Sequence, residues 1–144
     1  RGELGPVLEA IRTVSRSGVW LEIVYLVIPT LNDDPADLRR MCRWLAAEAG
    51  AGVPLHFSRF QPMYMVKNLP PTPVSTLERA REIAREEGLL YVYVGNVPGH
   101  PAESTCCPGC GKPVIERFGF EVRAVRLEEG KCRTCGRPIP GIWA

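Results

Sequence analysis

Two short cysteine turns near the end of the chain carry the clearest chemistry. They are Cys107-Pro108-Gly109-Cys110-Gly111 and Cys132-Arg133-Thr134-Cys135-Gly136, with 21 residues between them. A C-x-x-C turn followed by glycine points two thiolates into one site while the next backbone amides turn back toward the sulfurs. Four such sulfurs make a closed tetrahedral site for zinc, or for a single iron as in rubredoxin-like electron carriers. The gap lies one residue outside the usual two-pair zinc spacing, a difference a loop absorbs. Cys107, Cys110, Cys132 and Cys135 are therefore the expected metal ligands. Cys106 adjoins a ligand but has the wrong step to Cys110, and Cys42 falls on the apolar face of a helix, where it reads as core packing.

Other polar groups are sparser. The chain has only two histidines, few for a histidine-based mechanism. His56 sits between Leu55 and Phe57 inside a strand, as a hydrogen-bonded core residue does. His100 is in a linker, either a spare ligand or surface. Glu22 stands alone in an apolar strand, so its carboxylate must face a polar interior or pair with a cation. No G-x-S-x-G, phosphate loop or dinucleotide G-x-G-x-x-G is present.

The elements that must position these groups follow from periodicity. Leu4, Val7, Leu8, Ile11 and Val14 give one apolar face to a helix over 4–17, stopped by Gly18. Residues 19–28 are nearly continuously apolar, which predicts a strand covered on both faces. Asp34 before Pro35 is an N-cap with a first-turn proline, and Leu38, Met41, Cys42 and Leu45 form that helix's buried stripe. A second strand is expected over 53–60 and a proline-rich loop over 61–74. Ser75-Thr76-Leu77-Glu78 reads as a capping box opening a third helix, and 89–94 as a third strand. Strands alternating with helices predict a parallel α/β layer. The remainder holds β-rich stretches at 114–117 and 120–127, and ~40 residues of this kind need a metal to fold. The expected division is thus a βα portion, residues 1–98, and a four-cysteine ribbon module, 99–144.

Totals bound the partners. Among 144 residues, 45% are hydrophobic and 24% charged, and the net charge is +2, as in globular proteins without a strongly charged face. The ribbon is locally basic (Lys112, Arg117, Arg123, Arg126, Lys131, Arg133 and Arg137), yet Glu116, Glu121, Glu128 and Glu129 dilute it. Nucleic acid is thereby disfavoured, although a zinc-ribbon module contacting nucleic acid or protein stays as the alternative function. The longest apolar run, Leu21 to Pro29, is too short to span a bilayer. Paired thiols without an export signal point to a reducing, cytoplasmic setting. The strand at 19–28 would leave an open apolar edge, and the chain starts at Arg1 rather than methionine. Either another chain covers that edge or upstream strands of a longer parent protein do, and we expect the upstream strands.

Ligands of parallel α/β layers bind beyond the carboxyl ends of the strands. Asn32, Asp33, Arg59, Gln61, Tyr64 and Asn96 fall there. Asn32 and Asp33 either contact a ligand or shape a turn, and Arg59 either meets substrate or pairs with an acid.

The segment Val24-Tyr25-Leu26-Val27-Ile28-Pro29-Thr30-Leu31-Asn32-Asp33 resembles the late-barrel I-P-x-x-N-D stretch of radical S-adenosylmethionine (SAM) enzymes of the pyruvate formate-lyase-activating type. Pro54 through Tyr64, Asn68 through Pro73, Tyr91 through His100 and the closing Pro140-Gly141-Ile142-Trp143 resemble the radical SAM protein of the AmmeMemoRadiSam system. The similarity runs over essentially the whole chain. It implies a partial (β/α) barrel, of which this chain is the distal segment: three parallel strands with helices, followed by a small metal-binding β-ribbon. It further implies a 4Fe-4S cluster that cleaves SAM reductively to a 5′-deoxyadenosyl radical. It also implies an N-terminal barrel half as partner, and a protein substrate or Memo-like partner protein. The cluster's C-x-x-x-C-x-x-C loop is not among these residues, so the chain alone is expected to be inactive. Asn32, Arg59, Gln61 and Asn96 are the positions that would face SAM. Gln61 stands where related enzymes place a histidine near adenine; an amide still offers a donor and an acceptor but cannot be protonated.

Overall fold

A computed structural model describes residues 3–143; residues 1–2 and 144, the outermost positions of the two expected segments, lie outside the described residues. The element order is α1 (Leu4–Arg16), β1 (Ile23–Val27), α2 (Pro35–Glu48), β2 (Leu55–Arg59), α3 (Val74–Glu86), β3 (Val92–Gly95), then β4 (Thr105–Cys106), β5 (Pro113–Phe118), β6 (Glu121–Val125), β7 (Leu127–Glu128) and β8 (Lys131–Cys132). The first three strands form a parallel sheet in the order β1-β2-β3. The ribbon comprises an antiparallel β4-β5-β6 sheet and a β7-β8 hairpin.

Local signals set most of these boundaries. Gly18 adopts φ 79° just beyond α1, a backbone that a side chain would strain. The Asp34 carboxylate accepts from the amides of Ala36 and Asp37, and Pro35 fills a position whose N–H would be unpaired anyway. The capping box expected at Ser75 does not form. Pro73, with φ −58° and ψ 141°, starts α3 two residues earlier, so Ser75 lies inside the first turn and makes no cap bond. The proline ring presets the backbone but offers no side-chain acceptor; the Pro73 carbonyl accepts from the Thr76 amide at 3.1 Å. Glu78 instead turns to His100 Nε2 at 3.4 Å.

Because the strand order is sequential and parallel crossovers are right-handed, successive helices fall on one side of the sheet. Leu38, Cys42 and Leu45 of α2 and Leu77, Ala80, Ile83 and Ala84 of α3 pack on Val27, Leu55, Phe57, Val92 and Val94 in one cluster. Each large apolar side chain buried there contributes about 1.5–3 kcal/mol. The exposed ion pairs that lace α2 to α3 (Arg39 to Glu86 and Glu87, Arg43 to Glu87) add at most about 1 kcal/mol each. Burial decides the fold. α1 buries no residue fully and flanks α2 through Ile11 and an Arg12–Glu48 bond of 3.0 Å.

The expectation that the first strand is covered on both faces is corrected. Tyr25 and Val27 face the helices, but Val24 is 70% and Leu26 44% exposed. Both positions are apolar without being covered, so composition alone mimicked a doubly buried strand. The open face carries the register rows Val24–His56–Tyr93 and Leu26–Ser58–Gly95. Polar residues at alternate positions on β2 and β3 are what a face turned to water or a ligand would carry.

The loop 61–73 is fastened by Thr72, which is fully buried. Its hydroxyl donates to the Val27 carbonyl at 2.6 Å and accepts from the Phe60 amide at 3.0 Å. Its backbone amide donates to the Phe60 carbonyl, and its carbonyl accepts from Arg59 Nε at 2.8 Å. One threonine therefore ties the ends of β1 and β2 to the start of α3. Thr72→Val keeps the shape but strands two buried backbone groups, so stability should fall by about 2–4 kcal/mol in urea melts. Thr72→Ser should stay within about 1 kcal/mol of the parent. Equal losses in the two variants would deny the hydroxyl this role.

Candidate functional site

The ribbon brings together the four cysteines that the spacing singled out. The sulfurs of Cys107, Cys110, Cys132 and Cys135 all lie within 4.8 Å of one another. Cys107 and Cys135 Sγ are 3.5 Å apart, and Cys110 and Cys132 Sγ 3.7 Å. A tetrahedral ion with metal–sulfur bonds of about 2.3 Å places its sulfurs about 3.8 Å apart. The donor set and its spacing thus suit one zinc or iron ion, with no position left open for substrate. A multi-iron cluster, whose cysteines bind different irons, needs a wider set.

The two turns are built alike. Gly111 N donates to the Cys107 carbonyl and Gly136 N to the Cys132 carbonyl, each at 2.8 Å. Both glycines take left-handed backbones, φ 73° and 72°, which is why glycine follows each pair. The amide of Gly109 also reaches Cys107 Sγ at 3.4 Å. Burial pushes the Cys132 thiol up, but amides of Cys135 and Thr134 outweigh it and hold the thiol at about 6. At Cys135 the Arg137 amide favours the thiolate, yet the neighbouring Cys107 and partial burial push the thiol up to about 11. Four sulfurs this close cannot all carry charge without a cation between them.

Cys106 is exposed and His100 makes a different contact, so neither joins the cluster. His100 Nδ1 accepts from the Ala102 amide and caps a short 3-10 turn at Pro101–Glu103. Cys42 is fully buried in the α2–α3 core, as expected, with its thiol pushed up to about 12 by burial.

At the carboxyl ends of the strands the expected rim residues divide. The Asn32 side chain accepts from the Ile28 amide at 2.7 Å and donates to the Leu26 carbonyl at 2.9 Å, and Asp33 accepts from the Thr30 amide. Both shape the turn after β1. Arg59 pairs with no acid among the described residues and instead holds the Thr72 carbonyl. Asn96 donates to Ser58 Oγ at 3.1 Å and to the Arg59 carbonyl at 3.2 Å, so those two rim positions meet. Gln61 and Tyr64 are exposed. Among the described residues, four that are not glycine have positive φ: Thr30, Tyr64, Asn96 and, in the β7–β8 turn, Glu129. Three of these follow β1, β2 and β3 in turn. Such backbones cost of order 1 kcal/mol or more and gather where a fold serves a ligand.

A third constellation lies on the open face. Glu22 accepts from Trp20 Nε1 at 2.8 Å and sits 2.9 Å from His56 Nε2. His56 is hydrogen-bonded, as expected, but it is half-buried on the open face rather than in the core, and its ring stacks on Tyr93 at 4.7 Å. Tyr93 Oη meets Thr105 Oγ1 at 3.0 Å, and Arg117 Nη1 donates to the same hydroxyl at 2.8 Å. Burial raises the Tyr93 phenol, so it stays protonated. The carboxylate of Glu22 therefore finds its partner within the chain. Sequence reasoning flagged Glu22 and His56 separately; their shared parity on neighbouring strands was the signal that joins them. Arg117 and Thr105 gave no comparable signal, because the fold of the ribbon alone brings them to the sheet.

Together these features define a parallel α/β layer with a tetracysteine ribbon closing on its β3 side. No protein-family model matches the chain. It is similar to the uncharacterized protein MJ0808 of Methanocaldococcus jannaschii, with 45% identity over 141 residues, 96% of this chain and 42% of that protein. The chain thus spans about two fifths of the length of the curated relative it matches. Among the described residues, no helix is long and apolar enough to cross a membrane.

One metal ion per chain is expected by elemental analysis. Cys110→Ser should abolish it and make residues 104–143 sensitive to protease, while far-UV circular dichroism keeps the signal of α1–α3. Retained metal with an unchanged cleavage pattern would refute the site.

Proposed function

We propose that this chain is the distal part of a radical SAM enzyme similar to the pyruvate formate-lyase activators, in which residues 1–98 supply the last strands of a partial (β/α) barrel and 99–144 a structural ribbon. The observation that carries this reading is the one-sided sheet. Its strands run in sequence order, its helices lie on one face, and its other face is open with polar groups at alternate positions. A barrel segment has that form, its open face becoming the lumen. The greater length of the curated relative leaves room for further segments that would complete the barrel. The sequence runs described above supply the link to SAM chemistry.

In this reading Gln61 contacts the base edge of SAM, while Asn32, Arg59 and Asn96 fix the loops that carry the rim. When bound, SAM and its cluster supply reductive cleavage and hydrogen-atom abstraction. The residues present position the cofactor and shield it from water. The ribbon binds no substrate at its ion, since four thiolates close its coordination sphere. We assign zinc to it, which can contribute about 10–16 kcal/mol to folding a module this small. Thiolates kept reduced in this way fit a cytoplasmic protein, and the further partner would be a protein substrate or Memo-like protein.

The parent protein, purified and reconstituted with iron and sulfide under anaerobic conditions, should convert SAM to 5′-deoxyadenosine when dithionite is added. Gln61→Ala should raise the KM for SAM at least about ten-fold, the loss of a ligand hydrogen bond that strands a polar group. A parent with a full iron complement that leaves SAM intact would end this reading. For the ribbon, a colourless protein with stoichiometric zinc is expected; a red ferric-thiolate spectrum would assign electron transfer instead.

A further inference from the structure

Where the ribbon folds back on the sheet, it encloses a cleft of about 450 Å³. Val24, His56, Tyr93 and Gly95 of the sheet form one side; Arg117 and Phe120 of the ribbon form the other. Arg117 is half-buried, and one guanidinium nitrogen is spent on Thr105. No carboxylate of the described residues lies within ion-pair distance of it. The acids nearby are already engaged. Glu22 accepts from Trp20 and bonds His56, and Glu103 accepts from the amides of Gly99 and Gly119. Phe120, at the tip of the β5–β6 turn, leaves its ring wholly uncovered beside the cleft.

We propose that this junction is a binding site for a small organic monocarboxylate, with Arg117 as its anion-binding group. The unspent part of a guanidinium is a planar fork that matches a carboxylate. A single cation matches a single negative charge, and the carboxylates of Glu22 and Glu103 in the same lining repel a dianion such as phosphate more strongly than a monoanion. Val24 and Phe120 offer apolar surface to the rest of the ligand, the mixture of apolar walls and a few polar groups that small-molecule sites have. His56, held by Glu22 through Nε2 and stacked on Tyr93, keeps Nδ1 as a further hydrogen-bonding atom on the sheet side. The ribbon is then a wall of a binding site as well as an appendage. The site does not depend on SAM chemistry, since each group named belongs to this chain and the ligand binds without reaction.

Benzoate titrated into the metal-loaded protein, without SAM, should shift the amide resonances of Gly95 and Gly119 and saturate. Benzamide, of the same shape without charge, and inorganic phosphate should each bind at least about ten-fold more weakly. Arg117→Gln, checked for one metal per chain, should weaken benzoate at least about ten-fold; Arg117→Lys, which keeps the charge but loses the fork, should fall between. If Arg117→Gln fails to hold metal, the lysine variant serves alone, and benzoate affinity equal to the parent's would overturn the proposal. So would an absence of saturable benzoate shifts, equal binding of benzamide, or tighter binding of phosphate. Benzoate binding in a parent protein that cannot cleave SAM would leave this site standing while ending the radical reading, and the converse result would do the opposite.

Discussion

Two Cys-x-x-Cys-Gly turns bring four sulfurs within 4.8 Å of one another, a set that can ionise fully only around a cation, and the last third of the chain depends on that closure. Its apolar cluster comprises Val114, Ile115, Ile139, two of the ligand cysteines and Tyr91, the last borrowed from the βα portion. So small a cluster cannot by itself order β4 to β8. Once the sulfurs are fixed, β5 is fixed, because Cys107 N bonds the Lys112 carbonyl just before it and Arg126 N bonds the Val114 carbonyl across it. With β5 in place, Thr105 and Arg117 stand beside Tyr93. A metal held by these sulfurs would therefore act at a distance on the open sheet face, through the ribbon rather than through any contact of its own.

The sheet has the complementary property of being finished on one side only. Leu55, Phe57, Val92 and Val94 leave no doubt about the face beneath the helices, all at 5% exposure or less. The opposite face combines uncovered Val24 and Leu26 with His56, Ser58 and Tyr93. A water-facing sheet would gain nothing from those two aliphatic positions. A lumen shared with further strands would cover them, and that requirement, more than any single polar residue, supports the barrel reading.

How much of this could be read from the chain depended on whether a signal was local. Gly111 and Gly136, Asp34 with Pro35, and Gly18 each act within a few residues, and their consequences were legible. The stripes of α2 and α3 were legible too, because helical period reports burial directly. Residues 19–28 misled because alternation vanishes when both faces are apolar, whether or not both are covered. Ser75 misled because a proline two positions earlier competes for the same job. Thr72 and Arg117 gave no local trace at all: their partners lie 45 and 12 residues away, and only the folded chain brings them together.

The rim and the cleft also differ in how their side chains are spent. Asn32, Asp33, Arg59 and Asn96 hold backbone groups, so any ligand at the carboxyl ends meets loops that are already fixed, with left-handed residues at Thr30, Tyr64 and Asn96. Such a rim selects by shape, and the cost of holding it is met by the same hydrogen bonds that define it. The cleft is the reverse. On its sheet side the backbone is mostly ordinary strand, and the polar side chains around it form a chain of contacts from Trp20 through Glu22 and His56, then from Tyr93 through Thr105 to Arg117. Among the described residues, only the stacked rings of His56 and Tyr93 join the two halves. A ligand binding across that break would tie the β1–β2 side to the ribbon, so that occupancy of the cleft and order in the ribbon would reinforce each other.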